Sequence, residues 1–405
     1  MPHQIYPPEP TDAELLQELL GQVHAYLPLL DRDEIRRLLD GLKQGTEDKL
    51  QQLRVFSGRE EELLASVREE SDYGVLLRLH EELNALEMER FLRFYSVPAL
   101  HENCTSYRDV LAGRALELVR DEIPSPPPVP FALVSMGSDG REEQTLITDQ
   151  DYLIVYGDDG GEAAESYFRD FSQILVERLS EIGFKKCTGG IMPCNDNWRG
   201  SLSQWQRRLL AIVRYETEDY GKNLMDLIVL SDARYVAGDR ELAGELADRI
   251  RAMLQDYFLA LWGMAKAATE MRLALGFLKR FWTEGSGEHK GGFNLKLLAW
   301  APLVMNVRIL AINQGIPATS TVQRIALLER ERSFSADTAR GLIEAYRILT
   351  KHRILLQIKV IKGIQNDAYY LNPYSLPKEE RERIRHALLL IEDLQKIIHT
   401  NFSIV

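Results

Sequence analysis

The sequence predicts an α+β fold in which a small mixed β-sheet core lies between two helical regions. Apolar residues recur at helical intervals of three and four from residue 11 to 119, and again from about residue 240 to the C-terminus. The run IPSPPPVP at 123–130 cannot continue a helix, because proline lacks an amide donor and restricts the residue before it. We therefore predict a helical N-terminal region at 1–125, the sheet core with flanking helices at 126–242, and a C-terminal helical bundle at 243–405.

Three apolar runs predict the strands of the core. FALVSMGS at 131–138 predicts a buried strand that ends in a glycine turn, and DYLIVYG at 151–157 predicts a second strand closed by GDDGG. Helical spacing predicts a helix over 162–182, before the glycine at 183. The segment KNLMDLIVLSDARYVAG at 222–238 predicts a third strand centred on LMDLIVL.

Composition limits the partners and the setting. The chain carries 49 Lys and Arg against 61 Asp and Glu, a formal net charge of -12, which argues against a broad nucleic-acid surface. Its three cysteines, Cys104, Cys187 and Cys194, are too few for a disulfide framework, and its start lacks a secretory signal pattern. The longest apolar stretches fall short of the roughly 20 residues that span a bilayer. We expect a cytoplasmic protein without a transmembrane segment.

The stretch GSDGREEQTLITDQDYLIV at 137–155 contains a pair of aspartates at the head of an apolar strand. Strand side chains alternate faces, so the carboxylates of Asp149 and Asp151 should project from one face. At roughly 6 Å apart they would repel by about 3 kcal/mol at an effective dielectric of about 20. A divalent cation such as Mg²⁺, which prefers oxygen ligands, would turn this repulsion into attraction. An N-cap or a solvated strand end is the plainer alternative.

Gly137 and Ser138 end the preceding strand, where backbone amides at the turn could hold a phosphate. The loop is not a Walker A motif, because Gly-Lys-Ser/Thr is absent, and it lacks a dinucleotide fingerprint. Taken alone, Gly-Ser is equally a plain turn. A phosphate-holding turn beside a metal-holding pair is, however, the combination that nucleotide chemistry requires.

GSDGREEQTLITDQD closely resembles the signature of the polymerase β-like nucleotidyltransferase superfamily, in particular the subgroup related to the bacterial PII uridylyltransferase. Members carry Gly-Ser, Gly-Arg-x-Glu and Thr-Asp-x-Asp in this order. GGIMPCNDNWRGSLSQW at 189–205, SDARYVAGD at 231–239 and the helical segment from 293 to 316 resemble the same subgroup. The sequence departs from it at Tyr152, where Asn often follows the second Asp, and at the Leu-Ser before Asp232.

The resemblance implies a nucleotidyltransferase that moves UMP or AMP from a nucleoside triphosphate to an acceptor hydroxyl, with Mg²⁺ or Mn²⁺ as cofactor. Its acceptor would be a regulatory protein such as a PII-like protein, in signal transduction. Asp149 and Asp151 would bind the metal, and Gly137 and Ser138 the terminal phosphates. Asp232 aligns with the third carboxylate of the superfamily; Asp226, on the same face of the predicted strand, is the alternative.

The resemblance also suggests cationic groups for the nucleotide. Arg141 lies inside the signature, although pairing with Glu142 or Asp151 would equally explain it. Arg199 and Lys296 are further candidates, together with Arg308, and simple solvation is the alternative for each. The pair Trp198 and Trp205 could stack on a base, but hydrophobic packing is the plainer reading.

Two other functions compete with transfer to a protein. The first is a catalytically silent nucleotide-binding module that signals through its helical domains. The second is transfer to a small molecule or to RNA, and the acidic net charge of -12 weighs against RNA.

Overall fold

The computed structural model describes residues 32–216 and 219–404 and confirms the α+β class. The chain divides into two compact units, Met1–Ala65 and Ser66–Val405. The described part of the first unit is helical throughout, as part of α1 (Arg32–Glu69). The helix start predicted at Thr11 lies outside the described residues.

The second unit begins with two helices, α2 (Tyr73–Phe94) and α3 (Val97–Glu122). Ser96 ends the connection between them and caps α3, since its Oγ accepts a hydrogen bond of 3.3 Å from the backbone of Ala99. Helix α3 packs against α2 and against the helix α5 (Gly161–Glu181), which belongs to the sheet core. Helices α2 and α3 therefore lie directly on the core.

The core contains one four-stranded sheet with the order β5-β3-β1-β6. Its strands are β1 (Phe131–Ser135), β3 (Tyr152–Tyr156), β5 (Arg199–Ser201) and β6 (Arg234–Gly238). Strand β1 runs antiparallel to both β3 and β6, and β5 runs parallel to β3. Every residue of β1 and β3 is buried, which their unbroken apolar runs predict.

Shorter elements connect these strands. They are α4 (Gly137–Gly140), β2 (Asp149–Gln150), β4 (Lys185–Lys186) and α6 (Leu202–Val213). Strand β2 pairs in parallel with β4 and places Asp149 opposite Lys185. Helix α5 covers the sheet through two phenylalanines, whose rings lie 5.1 and 5.2 Å from that of Phe131. The segment 137–151 connects β1 to β3, the two central strands of the sheet.

The third predicted strand is mostly a helix. Residues Tyr220–Leu230 form α7, and only the end of the predicted segment, Arg234–Gly238, is a strand. Asp219 caps α7 by accepting a hydrogen bond of 3.1 Å from the backbone of Lys222. The run LMDLIVL buries one face of α7. Such a short apolar run cannot be assigned to helix or strand by its periodicity alone.

The rest of the second unit is helical and includes one small antiparallel ribbon, β7 with β8. In chain order its elements are α8 (Arg240–Asp256), α9 (Phe258–Thr269), β7 (Phe293–Asn294), a π-helical turn (Lys296–Trp300) that continues into α10 (Ala301–Asn313), α11 (Thr321–Arg330), α12 (Ala336–Ile361), β8 (Tyr370–Leu371) and α13 (Lys378–Asn401).

One stretch of the described chain, Lys296–Asn313, is long and apolar enough to cross a membrane by length and composition. Within the fold 72% of this stretch is buried inside the protein, and the core helix of a soluble protein passes the same test. The stretch is weak evidence for a membrane span.

Candidate functional site

The glycine turn after β1 is in contact with the second aspartate of the pair. Gly137 has a positive φ of 60°, in the region that favours glycine. A Cβ atom at this position would lie 2.7 Å from Oδ2 of Asp151. The backbone amide of Met136 also donates to the carbonyl of Asp151, at 2.9 Å. Turn and carboxylate therefore form one local structure.

The two aspartates stand on either side of Gln150, Asp149 at the start of β2 and Asp151 directly before β3. Between them, Gln150 points into the core, where its Nε2 donates to the carbonyls of Val176 and Phe184 at 3.2 and 3.0 Å. Asp149 is exposed and Asp151 is half-buried. Asp149 therefore meets solvent, while Asp151 keeps its Oδ1 atom inside the protein.

The carboxyl group of Asp151 lies in an environment that penalises its charge. Burial raises its pKa to about 6, and the charges of Asp149 and Asp139 act in the same direction, whereas the thiol of Cys187 opposes them. Its buried Oδ1 has no hydrogen-bond partner among the described residues. An unpartnered buried oxygen is costly, and a bound cation would satisfy it.

The pair fits Mg²⁺ in number and chemistry. In the part of the chain that the structure describes, no three His, Cys, Asp or Glu side chains converge as a metal site. Mg²⁺ is usually held by one or two carboxylates, with water and substrate phosphates completing its ligands. Asp149 and Asp151 meet this requirement without a third side chain.

The backbone of the turn offers amide donors beside the pair. The N–H groups of Gly140 and Arg141 bond to the carbonyls of Met136 and Gly137, at 3.0 and 3.2 Å. The N–H groups of residues 137–139 donate to no other group in the described ranges. These amides agree with the phosphate-binding role predicted for Gly137 and Ser138, which stays a prediction.

Asp232 does not join the pair, in contrast to the prediction. It is fully buried, and its oxygens accept hydrogen bonds from Arg141 at 2.6 Å, from Arg324 at 3.0 Å and from Arg308. Although burial acts in the opposite direction, the three guanidinium groups hold the pKa of Asp232 below its ordinary value. Three ion pairs occupy both oxygens, and this environment does not support the metal-binding role of Asp232, which stays a prediction.

The alternative third carboxylate, Asp226, is also placed elsewhere. It lies on α7, half-buried, and burial raises its pKa. The prediction that it shares a strand face with Asp232 was wrong, because residues Tyr220–Leu230 are helical. A period of two does not apply on a helix.

Arg141 pairs with different carboxylates from those predicted. Its Nε donates to Glu143 at 2.8 Å and its Nη1 to Asp232, so it contacts neither Glu142 nor Asp151 through a hydrogen bond. Oε1 of Glu143 accepts a hydrogen bond of 2.6 Å from the backbone of Thr321. Arg141 is buried and connects the core to the C-terminal helices, which does not support the phosphate-binding role predicted for it.

Arg199 has a structural environment as well. Its Nη1 donates to the carbonyls of Pro193 and Cys194 at 3.1 and 2.9 Å, and its Nη2 pairs with Asp196. It therefore fixes the loop before β5, and the structure does not support its predicted nucleotide contact. Trp198 and Trp205 are both buried, which favours the packing alternative for this pair.

Lys296, the next predicted cation, is half-buried at the start of the π-helical turn, and its nucleotide-binding role stays a prediction. Burial lowers its pKa, the charge of Arg353 lowers it further, and the charges of Asp149 and Asp151 oppose both effects. Its ammonium lies 5.5 Å from the centroid of the Tyr369 ring. It forms no hydrogen bond or ion pair with any residue that the structure describes.

Arg353 is a site residue that the sequence did not indicate. It lies on α12, and its guanidinium carbon is 3.9 Å from the centroid of the Trp300 ring. Burial lowers its pKa to about 10. An arginine in an amphipathic helix is usually solvated, so the segment KHRILLQ carried no signal for it.

Comparison with known proteins adds family matches to this geometry. Residues 79–219 match the model described as "Putative nucleotidyltransferase DUF294", and residues 258–402 match "Putative nucleotidyltransferase substrate binding domain". Together the matches cover more than half of the chain. The first contains the turn and the aspartate pair, and the second contains Lys296 and Arg353. A search of the curated proteins found no match.

Proposed function

We propose that this chain is a Mg²⁺-dependent enzyme. The premise is that it belongs to the nucleotidyltransferase family described by the two matching models. It would move UMP or AMP from a nucleoside triphosphate to an acceptor hydroxyl. The observation that carries the proposal is the contact between the Gly137 turn and the carboxylate of Asp151, whose buried Oδ1 lacks a partner.

In this proposal Asp149 and Asp151 hold Mg²⁺ or Mn²⁺. The bound ion neutralises phosphate charge and orients the reacting groups. The amides of Gly137 and Ser138 bind terminal phosphate oxygens, and the ammonium of Lys296 adds positive charge from the C-terminal region. No covalent intermediate on the protein is needed, because positioning and charge neutralisation supply the catalysis.

The proposed nucleotidyl transfer needs no reactant besides the nucleoside triphosphate and the acceptor. The acceptor hydroxyl oxygen forms a bond to the α-phosphorus, and the bond from that phosphorus to the oxygen bridging to the β-phosphate breaks. Pyrophosphate leaves with the electron pair, and the hydroxyl proton passes to solvent on the side where Asp149 is exposed.

The acceptor we propose is a cytoplasmic regulatory protein of the PII-like kind, in a signalling role. Support comes from the sequence resemblance to the PII uridylyltransferase subgroup. The description of the second model as a substrate binding domain adds to it, since helices 258–402 form a large body beside the site. Neither source identifies the acceptor, which labelling in a lysate would identify.

Incubation with labelled ATP or UTP, Mg²⁺ and a lysate tests the proposal. The wild-type chain should label an acceptor protein, and the double variant Asp149→Asn/Asp151→Asn should lose at least 100-fold in rate. Asp226→Asn is a matched control, because this aspartate is half-buried on α7 and away from the pair. Equal labelling by wild type and double variant would refute the proposal, and label in a small-molecule or RNA fraction would change the acceptor class.

One observation favours a second function. The resemblance implies a third carboxylate, and Asp232 is instead held by three arginines. A nucleotide-binding signalling module without turnover would need only the pair. Calorimetry that shows nucleotide binding, with no pyrophosphate release in Mg²⁺ or Mn²⁺ at any acceptor concentration, would establish this alternative.

A further inference from the structure

One face of helix α12 is turned toward the core and carries four polar side chains at helical spacing. Three of them have direct partners. Tyr346 bonds to His101 at 3.0 Å, Thr350 accepts from Nε1 of Trp300 at 3.0 Å, and Gln357 donates to Thr145 at 2.9 Å. The fourth is Arg353, which forms no hydrogen bond or ion pair with any described residue.

The aromatic ring beneath Arg353 fixes its position. The guanidinium carbon of Arg353 lies 3.9 Å from the centroid of the Trp300 ring. Trp300 is itself held in place, because its Nε1 donates a hydrogen bond to Thr350. Arg353 is half-buried, and the carboxylate whose charge acts on it, Glu143, is already paired with Arg141. The site therefore has a preformed cationic group without a direct ion-pair partner among the described residues.

A second cation of the same kind lies beside it. Lys296 is the first residue of the π-helical turn that ends at Trp300, the residue on whose ring Arg353 lies, so both cations belong to this turn. The same ring centroid lies 5.6 Å from the guanidinium carbon of Arg141, which directly follows α4. Lys296 and Arg353 both come from the C-terminal region, whereas the carboxylates come from the sheet core. Other buried arginines nearby are already paired, since Arg141, Arg308 and Arg324 all bond to Asp232.

We propose that Lys296 and Arg353 form a two-cation clamp for the polyphosphate tail of the nucleotide. One divalent ion on two carboxylates leaves much of the charge of a triphosphate uncompensated, and the two cations would neutralise it. The clamp makes the C-terminal region select triphosphates over monophosphates. This inference rests on the proposed function in taking a nucleoside triphosphate as the ligand.

Calorimetry with inorganic tripolyphosphate, in a metal-free buffer and on the full chain, tests the clamp directly. Arg353→Gln and Lys296→Gln should each weaken binding at least tenfold, and Arg353→Lys should keep part of the affinity. Arg340→Gln is the matched control, because Arg340 lies on the same helix with 77% of its side chain exposed. The control should bind within twofold of wild type.

Affinity for nucleoside monophosphates, compared with that for tripolyphosphate, measures the selectivity of the clamp. An arginine with only a structural role would not change this ratio. AMP and UMP should bind Arg353→Gln within twofold of wild type. Affinity for tripolyphosphate within twofold of wild type in both single variants would overturn the clamp. Equal weakening of monophosphate and tripolyphosphate would overturn its assignment to the polyphosphate tail. If Arg353→Gln unfolds, Lys296→Gln alone decides by the same criteria.

The same variants separate the clamp from the proposed function. Asp149→Asn/Asp151→Asn should bind metal-free tripolyphosphate at least as tightly as wild type, because it removes two negative charges near the clamp. Absence of transfer in wild type, with tripolyphosphate binding that depends on Arg353, would refute the proposed function and leave the clamp intact. Transfer by wild type with an unchanged KM for the triphosphate in Arg353→Gln would refute only the clamp.

Discussion

The carboxylate of Asp151 occupies the space in which residue 137 would otherwise carry a side chain. The two meet because Gly137 has a φ of 60° and a Cβ at that position would approach Oδ2 of Asp151 to 2.7 Å. The glycine of the turn and the second aspartate of the pair are thus a single steric unit. Any side chain at 137 must move the group that we propose as the metal ligand.

Gly137→Ala should therefore impair the site more than the fold. We expect a loss of about 1–2 kcal/mol in the free energy of unfolding, from the left-handed backbone and the close contact. Affinity for Mg²⁺ should fall at least tenfold, measured by calorimetry. Gly113→Ala in α3 is the control, because a Cβ there meets nothing within 4 Å. Unchanged metal affinity in Gly137→Ala would show that the turn does not position Asp151.

Asp151→Asn should stabilise the metal-free protein while abolishing metal binding. Burial raises the pKa of Asp151 to about 6, so folding favours its protonated form. The charged carboxylate of Asp151 therefore lowers the free energy of unfolding. This loss is absent below about pH 4, grows as pH rises to about 6, and is complete above that value. We expect a gain of roughly 2 kcal/mol at pH 7.5 that disappears at pH 4. Urea unfolding in EDTA at both values measures it, and an equal effect at both would contradict it.

The sequence predicted those parts of the site that depend on local rules. Alternation along a strand predicts that the residue between Asp149 and Asp151 points into the core, and Gln150 does so. That the two carboxylates share one face stays a prediction. A Gly-Ser pair after an apolar run suffices to predict a turn at 137–138. The metal and phosphate roles of these residues stay predictions, since they concern groups that bind to the chain.

The sequence could not predict the parts that depend on distant pairing. Asp232 matches the third carboxylate of a family motif, but its partner Arg141 lies 91 residues away, and Arg324 lies 92 residues away. No local pattern shows that these charges meet. Arg353 was missed for the same reason, since its position depends on its contact with the ring of Trp300, which is distant in the sequence.

Asp232→Asn should cost stability without affecting the metal. Removing one partner of a buried ion pair leaves uncompensated charge, here on three arginines, and we expect a loss of about 3–5 kcal/mol in the free energy of unfolding. Mg²⁺ affinity of the folded variant should stay within twofold of wild type. Adding Arg324→Met should recover part of the stability, because it removes one excess cation. Loss of metal affinity in a folded Asp232→Asn protein would restore Asp232 as a ligand.

The loop that leads to Asp149 is held from two sides, which predicts a positioning role for Gln357. From α12, Gln357 donates to Thr145 at 2.9 Å and accepts from the amide of Ile147 at 3.4 Å. From α3, Arg108 donates to the carbonyl of Thr145 at 2.6 Å. Gln357→Leu would leave the amide of Ile147 without a partner and remove the bond to Thr145, whose Oγ1 still donates to the carbonyl of Ile147 at 3.4 Å. We expect this to cost about 1–3 kcal/mol in the free energy of unfolding and to loosen the approach to the pair.

We expect Gln357→Leu to lower kcat for transfer about tenfold and to weaken Mg²⁺ binding, with Gln357→Glu less affected because it can still accept from the loop amide. Gln395→Leu is the matched control. Gln395 donates to the carbonyls of Ala268 and Met271 at 3.3 and 2.8 Å, within the C-terminal helices, so its loss should cost similar stability and leave the site unchanged. If both variants lose the same stability and neither changes kcat, helix α12 does not position the aspartate pair through this loop.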